Sequence, residues 1–457
     1  MLIKLAFHLG ERLSGLDIFT YHLFLMKSQW WDNDKIRYYQ NKKLKILIMY
    51  AFCNVPYYRK VFDYCGITPE NIKSVDDLIK LPVLTREDII ENYEDLKPKS
   101  YKGKTRLLKT GGTSTGRPLS ITMGKESFAR TYASFFRCWC NYNMGERVVR
   151  YMDPIRFKHD TIFSLFRDTL LRHKWIIIRE NEEKTDVLEK KLLQIAKYNP
   201  KYIKGRPSSL SRLAELCEKE NFRRIRPNSI FSNGETLFLS QRDKLESIFK
   251  SEVFDLYGGE GGIAAFECEK HNGYHLSSET GIVEIVSIND KNKLVKNKSE
   301  IGCVIGTDLN NYAMPMIRYE IGDLARYDPK SNFCDCGRGL PLIKCVEGRY
   351  SSVINNNGRV ITEKTFEGFI RSIDFFKKIN IPAYIQLVLI EGNILDIRVK
   401  KELCCTETIL RNLKDIFISK LGKNYRVNIS TVNNLIRTES DKQAFVINDV
   451  STSNYKE

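Results

Sequence analysis

Apolar residues change their spacing twice along the chain, and each change predicts a different kind of structure. Between about residues 183 and 260 helical and strand spacings alternate. Leu188, Leu192, Ile195 and Ala196 fall on one helical face, and KYIKG (201–205) then reads as a short strand ending at a turn. Pro207 suits a helix start, with Leu210, Leu213, Ala214 and Cys217 as its apolar stripe. NSIFSNGE (228–235) is a strand into a turn. A helix near Gln241 to Phe249 follows, and SEVFDLYGGEGG (251–262) is a strand into a glycine loop. Strands alternating with helices predict an α/β domain with a mainly parallel sheet, whose ligands bind at the C-terminal ends of the strands. Gly234–Glu235 and Gly258–Gly259–Glu260 both sit at such ends. From about residue 281 strand follows strand: GIVEIVSI, GCVIGTDL, MIRYEIGDLARY. The last hundred residues form a separate α+β pattern. It has a helix from Glu363 to Ile373, a hairpin turning at Glu391–Gly392–Asn393, a helix from Thr406 to Leu421 stopped by Gly422, and RVNISTV as a final strand. The boundary falls near Gly348, giving a large α/β domain over 1–347 and a small α+β domain over 348–457.

Bulk composition narrows the classes. A chain of 457 residues is too long for one ordinary core, and 42% apolar residues predict packed domains rather than disorder. No apolar run reaches the roughly 18 residues a membrane span needs. The N-terminal stretch MLIKLAFHLGERLSGLDIF is amphipathic but broken by Lys4, His8, Glu11 and Arg12. It reads as a core-packed helix rather than a signal peptide, with peripheral contact to a membrane surface as the alternative, and the protein reads as cytoplasmic. The net charge of +17 is spread along the chain, and no nucleic-acid-binding module accompanies it, so nucleic acid is not expected as a partner. Twelve cysteines in a chain without a secretion signal argue against a disulfide framework, and isolated ones such as Cys217 and Cys303 read as small core residues.

Four short stretches carry candidate chemistry. LLKTGGTSTGRPLSI (107–121) gathers glycines and hydroxyls, which let backbone and side-chain donors approach a phosphate; the spacing is not that of a Walker loop. YGGE (257–260) puts a carboxylate at a strand end, where a hard oxygen ligand can hold Mg²⁺. RYEIGD (318–323) puts Asp323 just after a glycine turn, where a carboxylate can accept both ribose hydroxyls. Gly348–Arg349 follows. Phosphate, metal and ribose are the three handles of a nucleotide, and the stretches supply them in order.

That ordered set resembles the adenylate-forming enzymes, the superfamily of acyl-CoA synthetases, luciferases and peptide-synthetase adenylation domains. It looks most like the phenylacetate–CoA ligase-like group, in the branch found among polysaccharide and capsule biosynthesis proteins. NYAMPMIRYEIGDLARY, CDCGRGLPLIKCVEGR, NVPYYRKVF (54–62) and LPVLTREDI (81–89) carry the likeness, which runs from about residue 50 to the end. The resemblance implies a large AMP-binding domain and a small mobile C-terminal domain. It also implies two steps: a carboxylate attacks ATP to give an acyl-adenylate and pyrophosphate, then a thiol, usually coenzyme A, displaces AMP. By the same resemblance Thr113, Ser114, Thr115 and Gly116 hold phosphates, and Gly234 and Glu235 lie by the adenine. Tyr257, Gly258 and Glu260 sit at the α-phosphate and Mg²⁺, and Asp323 sits at the ribose. Lys442, in TESDKQAFVIND, matches the late lysine that neutralises charge during adenylation, and Arg349, of the hinge Gly-Arg pair, completes the catalytic set. Three positions depart from the pattern. Arg117 replaces a common lysine, Tyr350–Ser351–Ser352 follows the hinge pair where a polar residue and two aspartates are usual, and Asp441 replaces a glycine. The last two sit where the second half-reaction is organised. They leave open transfer to a sugar amine or hydroxyl without CoA, and a catalytically idle binding protein of the same fold.

A metal site is expected as well. Cys268 and His275 flank the loop CEKHNGYH, and Cys334 and Cys336 make a C-x-C in a second loop. Two ligands from each of two loops is the logic of a closed tetrahedral zinc site. His271 is the rival fourth ligand, and His275 is preferred because it opens the strand returning to the sheet. Such a site, within the loop region 265–340, braces structure rather than doing chemistry.

Overall fold

The computed structural model describes residues 8–11, 15–109, 119–139, 142–152, 168–177, 185–258, 261–295, 297, 300–327, 334–356, 359–390, 393–438, 444–448 and 455–456. They fall into two compact units. The first takes residues from Met1–Gly111, Pro118–Tyr142 and Leu256–Val346, and the second takes the remainder, including 143–255 and everything from Glu347 onward.

The first unit opens on helices Ile18–Ser28, Asn33–Asn54 and Pro56–Cys65. Asp32 caps the second of these through the Lys35 amide at 2.7 Å, and Pro56 starts the third where its missing N–H costs nothing. An antiparallel hairpin, Thr105–Lys109 with Ser120–Gly124, leads into helix Lys125–Arg137. Strands lying wholly or partly in this unit run in the order Gly281–Ser287, Ile301–Asp308, Tyr319–Tyr327, Leu342–Arg349, Tyr274–Leu276, Ala264–Glu267, Glu252–Gly258. The described registers are antiparallel, as the run of consecutive strand patterns predicts. Apolar side chains of the early helices, such as Leu44, Leu47 and Ile48, share a core with Leu84, Leu309, Met314 and Met316.

The second unit contains the predicted parallel arrangement. Strands Ser229–Asn233, Tyr202–Gly205, Val148–Met152 and His173–Ile177 lie in that order, all parallel. Helices Thr185–Tyr198, Pro207–Lys219 and Leu239–Phe249 bury the stripe Leu188, Leu192, Ile195, Leu210, Leu213 and Cys217 against it. Its C-terminal part is a four-stranded sheet in the order Arg426–Val432, Ile394–Lys400, Ile385–Ile390, Val446–Asn448, covered by helices Glu363–Arg371 and Glu407–Leu421. Thr406 caps the latter helix through the Ile409 amide and Gly422 follows its end. Two expectations change here. Helix 363 ends at Arg371, with a single 3-10 turn, Asp374–Phe376, beyond it. RVNISTV is not the last strand: Val446–Asn448 returns to pair in parallel with the Ile385–Ile390 strand. Three residues with no alternation to speak of gave no strand signal; they are held because Val446 and Ile447 are buried in the sheet's two apolar faces.

Candidate functional site

Thr113, Ser114, Thr115, Gly116, Glu260 and Lys442 lie outside the described residues, as does the departing Asp441. The remaining nucleotide set is placed. Gly234, with φ +89°, turns the chain out of strand Ser229–Asn233 and delivers Glu235. The Glu235 carboxylate accepts the Ser208 amide at 3.2 Å and faces Arg206 at 3.8 Å. It is thereby fixed over the first turn of helix Pro207–Lys219, where the helix dipole favours a negative charge. Gly258, with φ +155°, ends strand Glu252–Gly258, and Tyr257 precedes it half-buried.

Asp323 needs a correction of setting. It does not follow a turn; it lies inside strand Tyr319–Tyr327. The register against Ile301–Asp308 jumps from Leu324 opposite Cys303 to Glu320 opposite Ile305, so Ile321, Gly322 and Asp323 face Val304 alone. Gly322 has φ +83°, which a side chain would resist, and the bulge re-aims the residue after it. The Tyr257 hydroxyl donates to Asp323 Oδ2 at 2.9 Å. Two residues 66 positions apart, assigned to neighbouring parts of one nucleotide, are thus within hydrogen-bonding reach. Arg349 is the partly buried last residue of strand Leu342–Arg349, and Tyr350–Ser352 forms one 3-10 turn after it. The Ser351 carbonyl accepts from Asn448 Nδ2 at 2.6 Å.

The four candidate metal ligands converge. Cys268 leaves strand Ala264–Glu267, His275 sits in strand Tyr274–Leu276 opposite Leu342, and Cys334 and Cys336 come from the loop before strand Leu342–Arg349. Their donor atoms all lie within 4.8 Å of one another. Cys268 Sγ is 3.6 Å from Cys334 Sγ, and Cys336 Sγ is 3.3 Å from His275 Nε2. A tetrahedron with zinc–sulfur bonds of about 2.3 Å has edges of about 3.8 Å, so the cluster has the size of a closed site. His275 Nδ1 lies 3.3 Å from the Leu340 carbonyl, which as acceptor favours the Nδ1–H tautomer and leaves Nε2 as the candidate ligand atom. Burial pushes the His275 pKa down to about 4, so the imidazole is neutral at ordinary pH, as a metal ligand must be. Burial raises the Cys268 and Cys334 thiols. It also opposes ionisation of Cys336, but hydrogen bonds and charge from Arg338 outweigh it and the net shift is downward. His271 faces Glu267 at 3.5 Å instead.

Two charged residues without an assigned role in the sequence prove structural. Arg318, inside the RYEIGD motif, is 0% exposed. Its Nε donates to Glu284 Oε2 at 3.1 Å, Nη2 to the Lys291 carbonyl at 3.1 Å, and Nη1 to the Leu81 carbonyl. It braces the strand that carries Asp323. Asp308 is fully buried at the end of its strand and accepts the Asn310 and Asn311 amides at 2.8 and 3.2 Å; burial raises its pKa to about 6. The only sequence signal for either was a charge within an apolar run.

No protein-family model matches the chain. Among solved structures, 2-hydroxyisobutyryl-CoA ligase in the postadenylation state, in complex with 2-HIB-AMP, matches with a TM-score of 0.72 at 19% identity, covering 92% of this chain and 90% of that one. The anthranilate CoA ligase AuaEII in complex with anthranoyl-AMP matches with a TM-score of 0.52 at 15% identity, over 76% of this chain and 66% of that one. The fold is that of the adenylate-forming ligases, and the sequence is similar to members of that superfamily. Within it, the chain is similar to the phenylacetate-coenzyme A ligase of Thermus thermophilus, 24% identical over 386 residues, 81% of this chain and 82% of that protein. The Escherichia coli phenylacetate-coenzyme A ligase is 26% identical over 315 residues, 65% of this chain and 68% of that protein. Among the described residues no helix is long and apolar enough to cross a membrane.

Proposed function

We propose that this chain is an ATP-dependent acid–CoA ligase. A carboxylate oxygen of the acid attacks the α-phosphate of ATP and pyrophosphate leaves, giving an acyl-adenylate. The CoA thiol then attacks the acyl carbon, loses its proton, and AMP leaves. The observation that carries the reading is the Tyr257–Asp323 hydrogen bond. The carboxylate is held at a strand bulge where it can accept a pair of ribose hydroxyls, and the phenol fixes its orientation. Gly234–Glu235 supports the adenine end. In the same reading Thr113–Gly116 and Gly258 approach the phosphates, and Glu260 carries Mg²⁺. Lys442 and Arg349 supply positive charge, brought by a small mobile domain that begins at residue 348. Cys268, His275, Cys334 and Cys336 hold a structural Zn²⁺. Since ATP and CoA are cytoplasmic metabolites, the reading places the enzyme there, serving polysaccharide or secondary metabolism. Peripheral membrane contact remains the alternative use of its N-terminal segment.

The departures at Ser351, Ser352 and Asp441 favour one second reading, in which the acyl group passes to a sugar amine or hydroxyl. Pyrophosphate release from Mg-ATP against a panel of carboxylic acids, with and without CoA, separates these readings. Acid-dependent release is expected to fall about 10²–10³-fold in Lys442→Ala, because a cation aimed at developing charge is lost. Thioester formation identifies CoA as acceptor. Turnover that ignores CoA but follows an added amino sugar selects the second reading. ATP binding without release for any acid would favour an idle binding protein.

A further inference from the structure

The loop that presents Cys334 and Cys336 grips the N-terminal helices with its other side. Helices Ile18–Ser28 and Asn33–Asn54 are joined by the turn Gln29–Asp32. The Gly339 amide donates to the Gln29 carbonyl at 3.1 Å. A Cβ on Gly339 would stand 1.9 Å from the Trp31 carbonyl oxygen, so loop and turn touch backbone to backbone. Arg338 Nε donates to Gln29 Oε1 at 3.0 Å, and its guanidinium lies over the Trp30 ring at 5.0 Å. Its Nη1 pairs at 3.0 Å with Glu269, the residue after the ligand Cys268. One arginine therefore ties both ligand loops to the turn.

From the turn the ties continue. The Ser28 hydroxyl donates to the Glu279 carboxylate, which also receives Arg137 Nη1 at 2.7 Å, and the Tyr21 hydroxyl donates to the Glu279 carbonyl at 3.2 Å. Arg137 ends helix Lys125–Arg137, and Tyr21 and Leu25 pack on Ala133 of that helix. This is the helix that follows the glycine–hydroxyl stretch 107–121. Within the loop, by contrast, the Gly337 amide to the Cys334 carbonyl at 2.9 Å is a turn bond, and the thiols are met by one another, by the His275 imidazole, by the Lys270 amide at 3.4 Å from Cys268 and by Arg338 at Cys336. Weak S–H donors cannot hold two loops in one geometry; four coordinate bonds can.

We propose that a zinc ion bound by Cys268, His275, Cys334 and Cys336 fastens the N-terminal helical pair to the sheet, and through Ser28, Glu279 and Arg137 positions the helix Lys125–Arg137. This rests on the zinc reading above. The test is amide hydrogen exchange by mass spectrometry on the full chain, as purified with zinc quantified, and again after zinc removal with a chelator. Removal is expected to speed exchange across residues 18–32 and 125–137 at least tenfold, while strand Ile301–Asp308 changes little. Gly339→Ala keeps all four ligands and is expected to retain one zinc per chain yet show the same loosening at residues 18–32. Faster exchange confined to 268–275 and 334–336, with 18–32 still protected, would overturn the fastening while leaving the zinc site standing. A protein that neither carries zinc nor takes it up would overturn both.

Discussion

Replacing Arg318 by methionine keeps most of the side-chain volume and removes the charge. The guanidinium is 3.1 Å from Glu284, and the two side chains are 0% and 7% exposed. At an effective dielectric of 20, opposite charges at that separation attract by about 5 kcal/mol, against which stands a desolvation cost of several kcal/mol per ion. The burial side of this balance is visible in Glu284, whose pKa is raised by desolvation even though Arg318 lowers it. Arg318→Met therefore leaves a carboxylate buried without its cation, and also strips donors from the Leu81 and Lys291 carbonyls. The expected cost is about 3–5 kcal/mol. Glu284→Met orphans the arginine in the same way. The double variant, with neither charge, is expected to cost only about 1–2 kcal/mol, the carbonyls being its remaining loss. The coupling should therefore be about 3 kcal/mol or more. Because two units need not unfold together, the readout is native-state amide exchange in strands Gly281–Ser287 and Tyr319–Tyr327 rather than a global melting curve. Single-variant costs below about 1 kcal/mol, or costs that simply add, would refute the account of Arg318 as a brace held by Glu284.

Other expectations follow from the same geometry. Tyr257→Phe removes the donor that orients Asp323, and AMP affinity measured by calorimetry should weaken about tenfold or more, since a hydrogen bond to a charged group contributes about 1.5–3 kcal/mol; unchanged affinity would detach Asp323 from the nucleotide. Asp308 has its pKa raised from 3.8 to about 6 by burial, so the folded state holds this proton more tightly than the unfolded chain. Its contribution to stability is complete below about pH 4 and is lost as pH rises through 6, up to about 3 kcal/mol. Asp308→Asn, whose amide oxygen can still accept the Asn310 and Asn311 amides, should flatten stability between pH 4 and 6, and an unaltered pH profile would contradict the burial argument. His275→Ala leaves three thiols where four ligands converge, and zinc retention under competing chelator should fall by at least tenfold.

Local pattern determined much of this protein. Helical stripes such as Leu188, Leu192 and Ile195, the proline at 207, the helix start at Thr406 and the stop at Gly422 all act over a few residues, so one sequence suffices to read them. The grouping of Cys268, His275, Cys334 and Cys336 was equally legible, because two pairs of such side chains in two loops are readable from spacing, and the loops do bring those four side chains together. Long-range geometry was not legible. That Asp323 sits on a bulge depends on where the neighbouring strand loses register, a property of two segments at once. Val446–Asn448 becomes a strand because an apolar edge awaits it, not because three residues demand to be extended. Arg318, read as part of a nucleotide motif, is enclosed by Glu284, Leu81 and Lys291, and burial decides between a ligand and a brace. Gly339 carries no pattern at all, yet only a residue without a side chain fits against the Trp31 carbonyl. Spacing along the chain fixes what a segment prefers, while the partner it meets, and the water it loses in meeting it, exist only once the chain has folded.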